Sequence, residues 1–121
     1  MNVPFGRSQG SPSPAPQQSY IDLTVEETKR RLAEGDYDLV DVREPWEYQL
    51  GHLPGARLVP LNTLLIQARQ QLTRDNVIFV CAHGNRSRVA SEMAVAVGLK
   101  NVYNMAGGTS EWVNKGYPVE K

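Results

Sequence analysis

An apolar run at residues 77–80 reads Val-Ile-Phe-Val. Such a run, rich in β-branched residues, predicts a strand that is covered on both faces, as in a parallel sheet. Cys81, the only cysteine, follows it and opens a short polar turn. Beyond Ser87 the apolar residues take helical spacing up to Gly98: Val89, Ala90, Met93, Ala94 and Val97. The pattern therefore predicts that Cys81 lies in a tight loop between a strand end and a helix start.

Short apolar segments predict four further strands, at residues 20–23, 37–42, 57–59 and 101–103. Helical patterns separate these segments along the chain. This alternation predicts an α/β fold with a mostly parallel central sheet of about five strands and helices on both faces. In such folds ligands bind at the carboxyl ends of the strands, where Cys81 is predicted to lie.

The first predicted helix has clear start and stop signals. Thr24 followed by Glu27 is a capping-box pattern, and Gly35 follows the last turn. Its inner face is predicted to hold Val25, Thr28, Leu32 and Ala33. The basic run 29–31 is expected to lie in solvent rather than to form a binding patch.

Three more helices are predicted. A short one covers residues 44–50, in which Trp46 and Tyr48 are expected to pack, with Trp46 alternatively walling a pocket. Asn62 is predicted to cap the next one, and its inner side is predicted to hold Leu61, Leu64, Leu65, Ala68 and Leu72. The turn at 106–108 leads into a closing helix that ends near Gly116, with Trp112 in the core.

Residues 1–19 are rich in Pro, Gly, Ser and Gln and contain little to bury. We expect a flexible tail there and a folded domain at residues 20–121. A Pro-rich docking peptide is the alternative, but the segment lacks a PxxP repeat with flanking charges.

The composition narrows the function classes. The chain has 121 residues, and its 13 basic and 13 acidic residues cancel. This balance disfavours a nucleic-acid or membrane partner bound through a basic face. A single cysteine suits a reducing compartment, and no run approaches the roughly 20 apolar residues of a membrane span. We therefore expect a soluble, cytoplasmic protein without a secretory signal.

The predicted position of Cys81 favours a reactive thiol. A helix start offers free N–H groups and partial positive charge, which can lower a cysteine pKa from about 8.5 to roughly 3.5–7.5. Arg86 adds a fixed charge, and Gly84 lets several amides point at one anion. A small buried hydrophobe is the alternative role for such a cysteine. The Gly, Asn, Arg and Ser that follow favour a loop that binds an anion.

Asp41, Arg43 and His52 are predicted to be structural. Asp41 and Arg43 end a strand at the same sheet edge, and an internal charge pair that fixes neighbouring loops is more consistent with that place than substrate binding. His52 and His83 lack the ligand spacing of a zinc site, so no metal is expected.

The segment Cys81–Ser87, CAHGNRS, resembles the active-site loop of rhodanese-type sulfurtransferases. Three further segments match that family in the family's order, over roughly residues 20–118: DVRE at 41–44, GHLPGA at 51–56, and Gly-Gly with a later Trp at 107–112. Four matches in register make a strong resemblance.

The resemblance implies a sulfurtransferase without a cofactor. Cys81 would take a sulfur atom from a small anionic donor such as thiosulfate and pass it, as a persulfide, to cyanide or to a low-molecular-weight or protein thiol. The loop residues would bind the donor and the persulfide: Ala82, His83, Gly84, Asn85, Arg86 and Ser87. His83 is a candidate to protonate a leaving group or to contact a thiol acceptor, or is simply an exposed loop side chain.

Two alternatives remain. Cysteine-dependent phosphatases also pair a loop cysteine with an arginine, but they have five intervening residues, whereas four separate Cys81 from Arg86. The domain could instead be a persulfide carrier or a non-catalytic interaction module that serves one protein partner. The absence of a second cysteine disfavours a dithiol redox exchanger.

Overall fold

Five short strands form one sheet in the computed structural model, which describes residues 19–121. The strands are β1 Ile21–Leu23, β2 Asp38–Asp41, β3 Arg57–Leu58, β4 Val77–Val80 and β5 Val102–Met105. They lie in the order β1-β5-β4-β2-β3, and all paired neighbours are parallel. The predicted α/β class is confirmed. Because the strands are parallel, their carboxyl ends share one edge, and Cys81 follows the central strand β4.

Helices cover both faces of the sheet. They are α1 Val25–Glu34, α2 Pro45–Leu50, α3 Leu61–Ile66, α4 Ala68–Gln71, α5 Asn85–Ala96 and α6 Gly108–Asn114. Successive side chains of β4 point to opposite faces, so Val77 and Phe79 pack with α3 and α5, while Ile78 and Val80 pack with α1 and α6. The continuous apolar run at 77–80 thus reflects a strand buried on both sides.

The start of α1 is as predicted. Thr24 Oγ1 accepts from the Glu27 amide at 3.0 Å, and Glu27 Oε1 accepts from the Thr24 amide at 2.9 Å. The prediction that Ala33 lies on the inner face of α1 is wrong, because Ala33 is exposed while Val25 and Thr28 are buried. Arg31 also departs from the expected solvated run, since its guanidinium carbon lies 4.6 Å from the Tyr103 ring centroid.

The prediction of one long helix capped by Asn62 is wrong. Pro60 is the N-cap residue, and the helix breaks at Gln67 into α3 and α4. Leu65 faces outward with 37% of its surface exposed, whereas Leu64 is fully buried. Apolar spacing alone did not reveal the break, which moves Ala68 to a new helical turn.

The prediction that Trp46 packs against the core is also wrong. Trp46 lies on α2 and is 65% exposed. Tyr48, two residues later, does pack against the core and hydrogen-bonds the carbonyl of Ala56. Trp112 is buried, and its Nε1 donates to the Pro118 carbonyl at 2.8 Å.

Residues 1–18, which make up nearly all of the predicted tail, lie outside the described residues. From residue 19 onward, no helix is both long enough and apolar enough to cross a membrane.

Candidate active site around Cys81

The loop after β4 folds around the sulfur atom of Cys81. The amide of Gly84 donates to Sγ at 3.1 Å and the amide of Ser87 at 3.3 Å, while Ser87 Oγ lies 3.3 Å from Sγ. The helix α5 begins at Asn85, two residues before Ser87, so its free first-turn N–H groups belong to this loop. The result is a cradle of hydrogen-bond donors around one sulfur atom.

Cys81 is buried, yet its sulfur atom lies among polar groups. Only 1% of the residue is exposed, and it belongs to the apolar cluster on the α5 face of the sheet. Burial by itself raises the pKa of the Cys81 thiol, but hydrogen bonds from the Ser87 hydroxyl and from the loop amides outweigh it and bring the pKa below its ordinary value. A cysteine that only filled space would not need these donors.

Two glycines let the loop approach its neighbours closely. Gly84 has a φ of +97°, and a Cβ there would overlap the Ala106 carbonyl; a Cβ at Gly108, with φ +73°, would overlap the Ala82 carbonyl. The contact at Gly108 brings the start of α6 against the loop. There the amide of Thr109 donates to the Cys81 carbonyl at 2.8 Å, and the amide of Ser110 to the Ala82 carbonyl at 3.1 Å.

Arg86 forms an ion pair with a carboxylate on α2, a helix that is distant in sequence. Its Nη1 and Nη2 donate to Glu47 Oε1 and Oε2 at 2.7 and 2.9 Å. Hydrogen bonds from Arg86 lower the pKa of Glu47 to about 2, and the same contact raises the pKa of Arg86. The arginine that was predicted to attract a donor therefore has a protein partner, and its donor-binding role stays a prediction.

Asp41 and Arg43 form a buried ion pair at the same edge of the sheet. Arg43 Nη2 lies 2.8 Å from Asp41 Oδ2 and also donates to the Gly51 carbonyl at 2.8 Å. Arg43 is 6% exposed and Asp41 is fully buried. The pair fixes the end of β2 to the turn after α2, in agreement with a supporting position.

The other predicted loop residues differ in exposure. Gly84 and Ser87 are buried and Ala82 is half-buried, whereas His83 and Asn85 are exposed. His52 lies apart from the loop, with its ring stacked on Tyr48 at 3.6 Å between centroids and its Nδ1 2.9 Å from the Tyr48 carbonyl. Among residues 19–121 no group of three or more His, Cys, Asp or Glu could hold a metal ion.

Sequence reasoning missed Glu47 as part of the site. It lies 39 residues before Arg86, and no spacing rule connects a residue of α2 with the first turn of α5. Only the packing of these two helices at one sheet edge brings them together.

Comparison with known proteins agrees with this geometry. The family profile described as "Rhodanese-like domain" matches residues 24–115. A rhodanese-related protein from Thermoplasma volcanium is similar at 32% identity and a TM-score of 0.74, over 84% of this chain and 98% of that chain.

Two further solved structures carry different descriptions. A thiosulfate sulfurtransferase from Pseudomonas aeruginosa shares 28% identity with a TM-score of 0.72, over 84% of this chain and 20% of that longer one. A Rhodopseudomonas palustris protein of unknown function, described as a possible tyrosine phosphatase, shares 26% identity with a TM-score of 0.75, over 92% of this chain and 100% of that chain. With the family profile matching most of its length, the chain belongs to the rhodanese-like domain family.

Proposed function

We propose that the protein is a sulfurtransferase that carries sulfur as a persulfide on Cys81. The observation that supports this most is the set of donors around Sγ, namely the amides of Gly84 and Ser87 and the Ser87 hydroxyl. Such donors stabilise negative charge on sulfur both before and after the transfer. Family membership and the likeness to a thiosulfate sulfurtransferase support the same proposal.

The first step loads the cysteine. The Cys81 thiolate attacks the outer sulfur of thiosulfate, a new S–S bond forms, and the bond to the sulfonate breaks. Sulfite leaves with the electron pair of that bond, and the negative charge of the thiolate passes to the terminal sulfur of the persulfide. No oxidant, metal or cofactor takes part in this balance.

The second step unloads it. Cyanide or an acceptor thiolate attacks the terminal sulfur, the S–S bond to Cys81 breaks, and thiocyanate or a new persulfide leaves. The Cys81 thiolate returns to its cradle. Since the free thiolate is the nucleophile of the first step and the leaving group of the second, a lowered pKa assists both.

Phosphate chemistry is less well supported. Only four residues separate Cys81 from Arg86, and the guanidinium of Arg86 is held by Glu47. A ring of this size, with donors already within 3.3 Å of sulfur, suits a sulfur-sized anion better than a phosphate tetrahedron. The description of one similar protein as a possible tyrosine phosphatase makes a phosphate monoester a necessary control substrate.

The test is loading followed by mass measurement. Incubation with thiosulfate is expected to add one sulfur atom to Cys81, cyanide is expected to remove it, and a phosphate monoester is expected to remain intact. A Cys81→Ser variant that still turned over thiosulfate would refute the assignment. The Arg86→Ala variant is expected to fold but to use donor less well, and unchanged kinetics would count against a role for Arg86 in donor use.

We also propose that the protein works in a reducing compartment such as the cytoplasm, because a sulfur carrier with one thiol needs that thiol free.

A further inference from the structure

Arg86 carries the fixed positive charge closest to Cys81 in sequence, and a carboxylate balances this charge. The two terminal nitrogens of its guanidinium group donate to the two carboxylate oxygens of Glu47 at 2.7 and 2.9 Å. Glu47 Oε1 also accepts from the amide of Glu44 at 2.9 Å, so the backbone just before α2 holds the carboxylate in place. Arg86 therefore cannot turn toward a bound anion without losing two charge-assisted hydrogen bonds.

The charge around this arginine is negative at neutral pH. Hydrogen bonds from Arg86 hold the pKa of Glu47 at about 2, so Glu47 is ionised throughout the physiological range. The contact with Glu47 raises the pKa of Arg86, which also interacts electrostatically with Cys81 and Glu44. One guanidinium group thus faces two carboxylates, and ionisation of the Cys81 thiol adds a third negative charge.

Two other arginines near the Cys81 loop have carboxylate partners as well. Arg43 lies 2.8 Å from Asp41, and Arg88 lies 3.2 Å from Glu92. The groups that contact the Cys81 sulfur are amides and a hydroxyl, which are neutral donors. Such donors stabilise the single charge of a thiolate or persulfide. They do not offset a second charge on an incoming donor molecule.

We propose that the protein takes its sulfur from a sulfane-sulfur anion with a single negative charge, and that Glu47 sets this preference by neutralising Arg86. This inference rests on the proposed function and narrows the class of donor. Thiosulfate carries two charges, whereas a thiosulfonate with the same transferable sulfur carries one. Glu47 is a specificity-determining residue that acts through Arg86 rather than on the donor itself.

The transfer from a thiosulfonate balances as the transfer from thiosulfate does. The Cys81 thiolate attacks the outer sulfur, a new S–S bond forms, and the bond between that sulfur and the sulfonyl sulfur breaks. Sulfinate leaves with the electron pair, and the terminal sulfur of the persulfide carries the negative charge. Thiosulfate and methanethiosulfonate therefore share one reaction and differ by one charge, which makes them matched probes.

The experiment measures second-order rates of Cys81 loading by intact mass, with each probe at the same ionic strength. The rates are measured at pH 8, above the usual histidine pKa of about 6.5, so that imidazole groups add little charge. Glu47→Gln keeps the size of the side chain and removes its charge. This variant is expected to raise the ratio of the thiosulfate rate to the methanethiosulfonate rate about tenfold, because Arg86 then has an unbalanced positive charge.

Glu92→Gln is the matched control for Glu47→Gln. It removes the carboxylate partner of Arg88 on the same helix as Arg86 and is expected to leave the ratio of the two rates unchanged. Intrinsic reactivity of the two probes cancels when the ratio in a variant is divided by the ratio in the native protein. A ratio that Glu47→Gln does not raise would overturn the inference, since a purely structural role of Glu47 affects both probes alike.

The native protein also provides a test that needs no variant. A negative site repels a dianion more strongly than a monoanion, so both loading rates are expected to rise with salt, and the thiosulfate rate more steeply. A thiosulfate rate that falls with salt would mean that an unbalanced cation attracts the donor, and it would overturn the inference. Arg86→Ala leaves Glu47 without its counter-charge and is expected to slow thiosulfate several-fold more than methanethiosulfonate.

Alkylation distinguishes failure of this inference from failure of the proposed function. If neither probe loads Cys81, the proposed function fails, but the charge around the sulfur can still be measured because Cys81 is the only cysteine. Iodoacetate carries one negative charge and iodoacetamide carries none. Glu47→Gln is expected to raise the ratio of the iodoacetate rate to the iodoacetamide rate several-fold, while Glu92→Gln leaves it unchanged. Equal ratios in Glu47→Gln and the native protein would overturn the inference whether or not sulfur is transferred.

Discussion

Arg86 and Glu47 form a two-bond ion pair that joins the first turn of α5 to α2. The guanidinium nitrogens lie 2.7 and 2.9 Å from the carboxylate oxygens, across 39 residues of sequence. The Glu47 side chain is 13% exposed and that of Arg86 is 35% exposed, so the pair is partly shielded from water. The arginine therefore anchors the Cys81 loop to the neighbouring helix.

Replacing Glu47 by Gln is expected to lower the free energy of unfolding at pH 7 by about 1–2 kcal/mol, since charge-assisted hydrogen bonds are lost. The folded-state pKa of Glu47, about 2, lies below its ordinary value of 4.5. The carboxylate's contribution is therefore present above about pH 4.5 and disappears as the pH falls toward about 2. Urea unfolding at several pH values should show the difference between the two proteins narrowing on acidification.

Glu92→Gln is the control for that experiment. Glu92 and Arg88 form an exposed pair at 3.2 Å one turn apart on α5, and exposed pairs contribute only about 0.3–0.5 kcal/mol. If Glu92→Gln lowered the free energy of unfolding as much as Glu47→Gln does, the pair at the Cys81 loop would be no more stabilising than an ordinary exposed ion pair.

Ser87→Ala is expected to raise the pKa of Cys81, because the hydroxyl 3.3 Å from Sγ helps to lower it. The measurement is thiolate ultraviolet absorbance as a function of pH, together with the rate of alkylation at neutral pH, which should fall. Ser91→Ala is a matched buried control, since its hydroxyl donates to the Ser87 carbonyl at 2.8 Å rather than to sulfur. Identical titration curves for Ser87→Ala and the native protein would contradict the role of the hydroxyl.

Gly84→Ala is expected to cost more stability than Gly98→Ala. Both glycines have positive φ, +97° and +105°, but the added methyl at 84 would overlap the Ala106 carbonyl while at 98 it would meet open space. The Gly98 variant should lose about 1–2 kcal/mol from backbone strain alone. The Gly84 variant should lose at least twice that, and sulfur loading should fall as the loop moves. Equal losses in chemical denaturation would show that the loop tolerates a side chain at position 84.

Asp41→Asn is expected to destabilise the fold by about 3–5 kcal/mol, because it leaves the buried guanidinium of Arg43 without its counter-charge. Asp36→Asn removes one partner of an exposed pair with Arg74 at 3.2 Å and is expected to change stability by less than about 0.5 kcal/mol. Thermal unfolding of both variants checks the difference. A small effect of Asp41→Asn would mean that water reaches the pair.

The position of Cys81 could be predicted from sequence because it depends on local pattern. A four-residue apolar strand, a glycine in the turn and a helical apolar face are all encoded within residues 77–98. Parallel pairing then follows from the alternation of strands and helices. The cradle of amides is a consequence of that local geometry.

Features that depend on long-range packing were not predictable in this way. The apolar residues Leu65 and Trp46 lie on helices that bury little: α2 has no buried residue, and α3 buries only Leu64. The Glu47–Arg86 pair depends on how α2 and α5 meet, which no single segment determines. The break at Gln67 likewise has no glycine or proline to mark it.

The backbone hydrogen bonds between α6 and the Cys81 loop have a consequence for how the sequence of the loop can vary. Thr109 and Ser110 hold the carbonyls of Cys81 and Ala82 through backbone amides alone. The identities of the side chains at positions 82, 83 and 85 do not enter these bonds. Those three positions can therefore vary in sequence, and change what the loop presents to solvent, while the sulfur atom keeps its place.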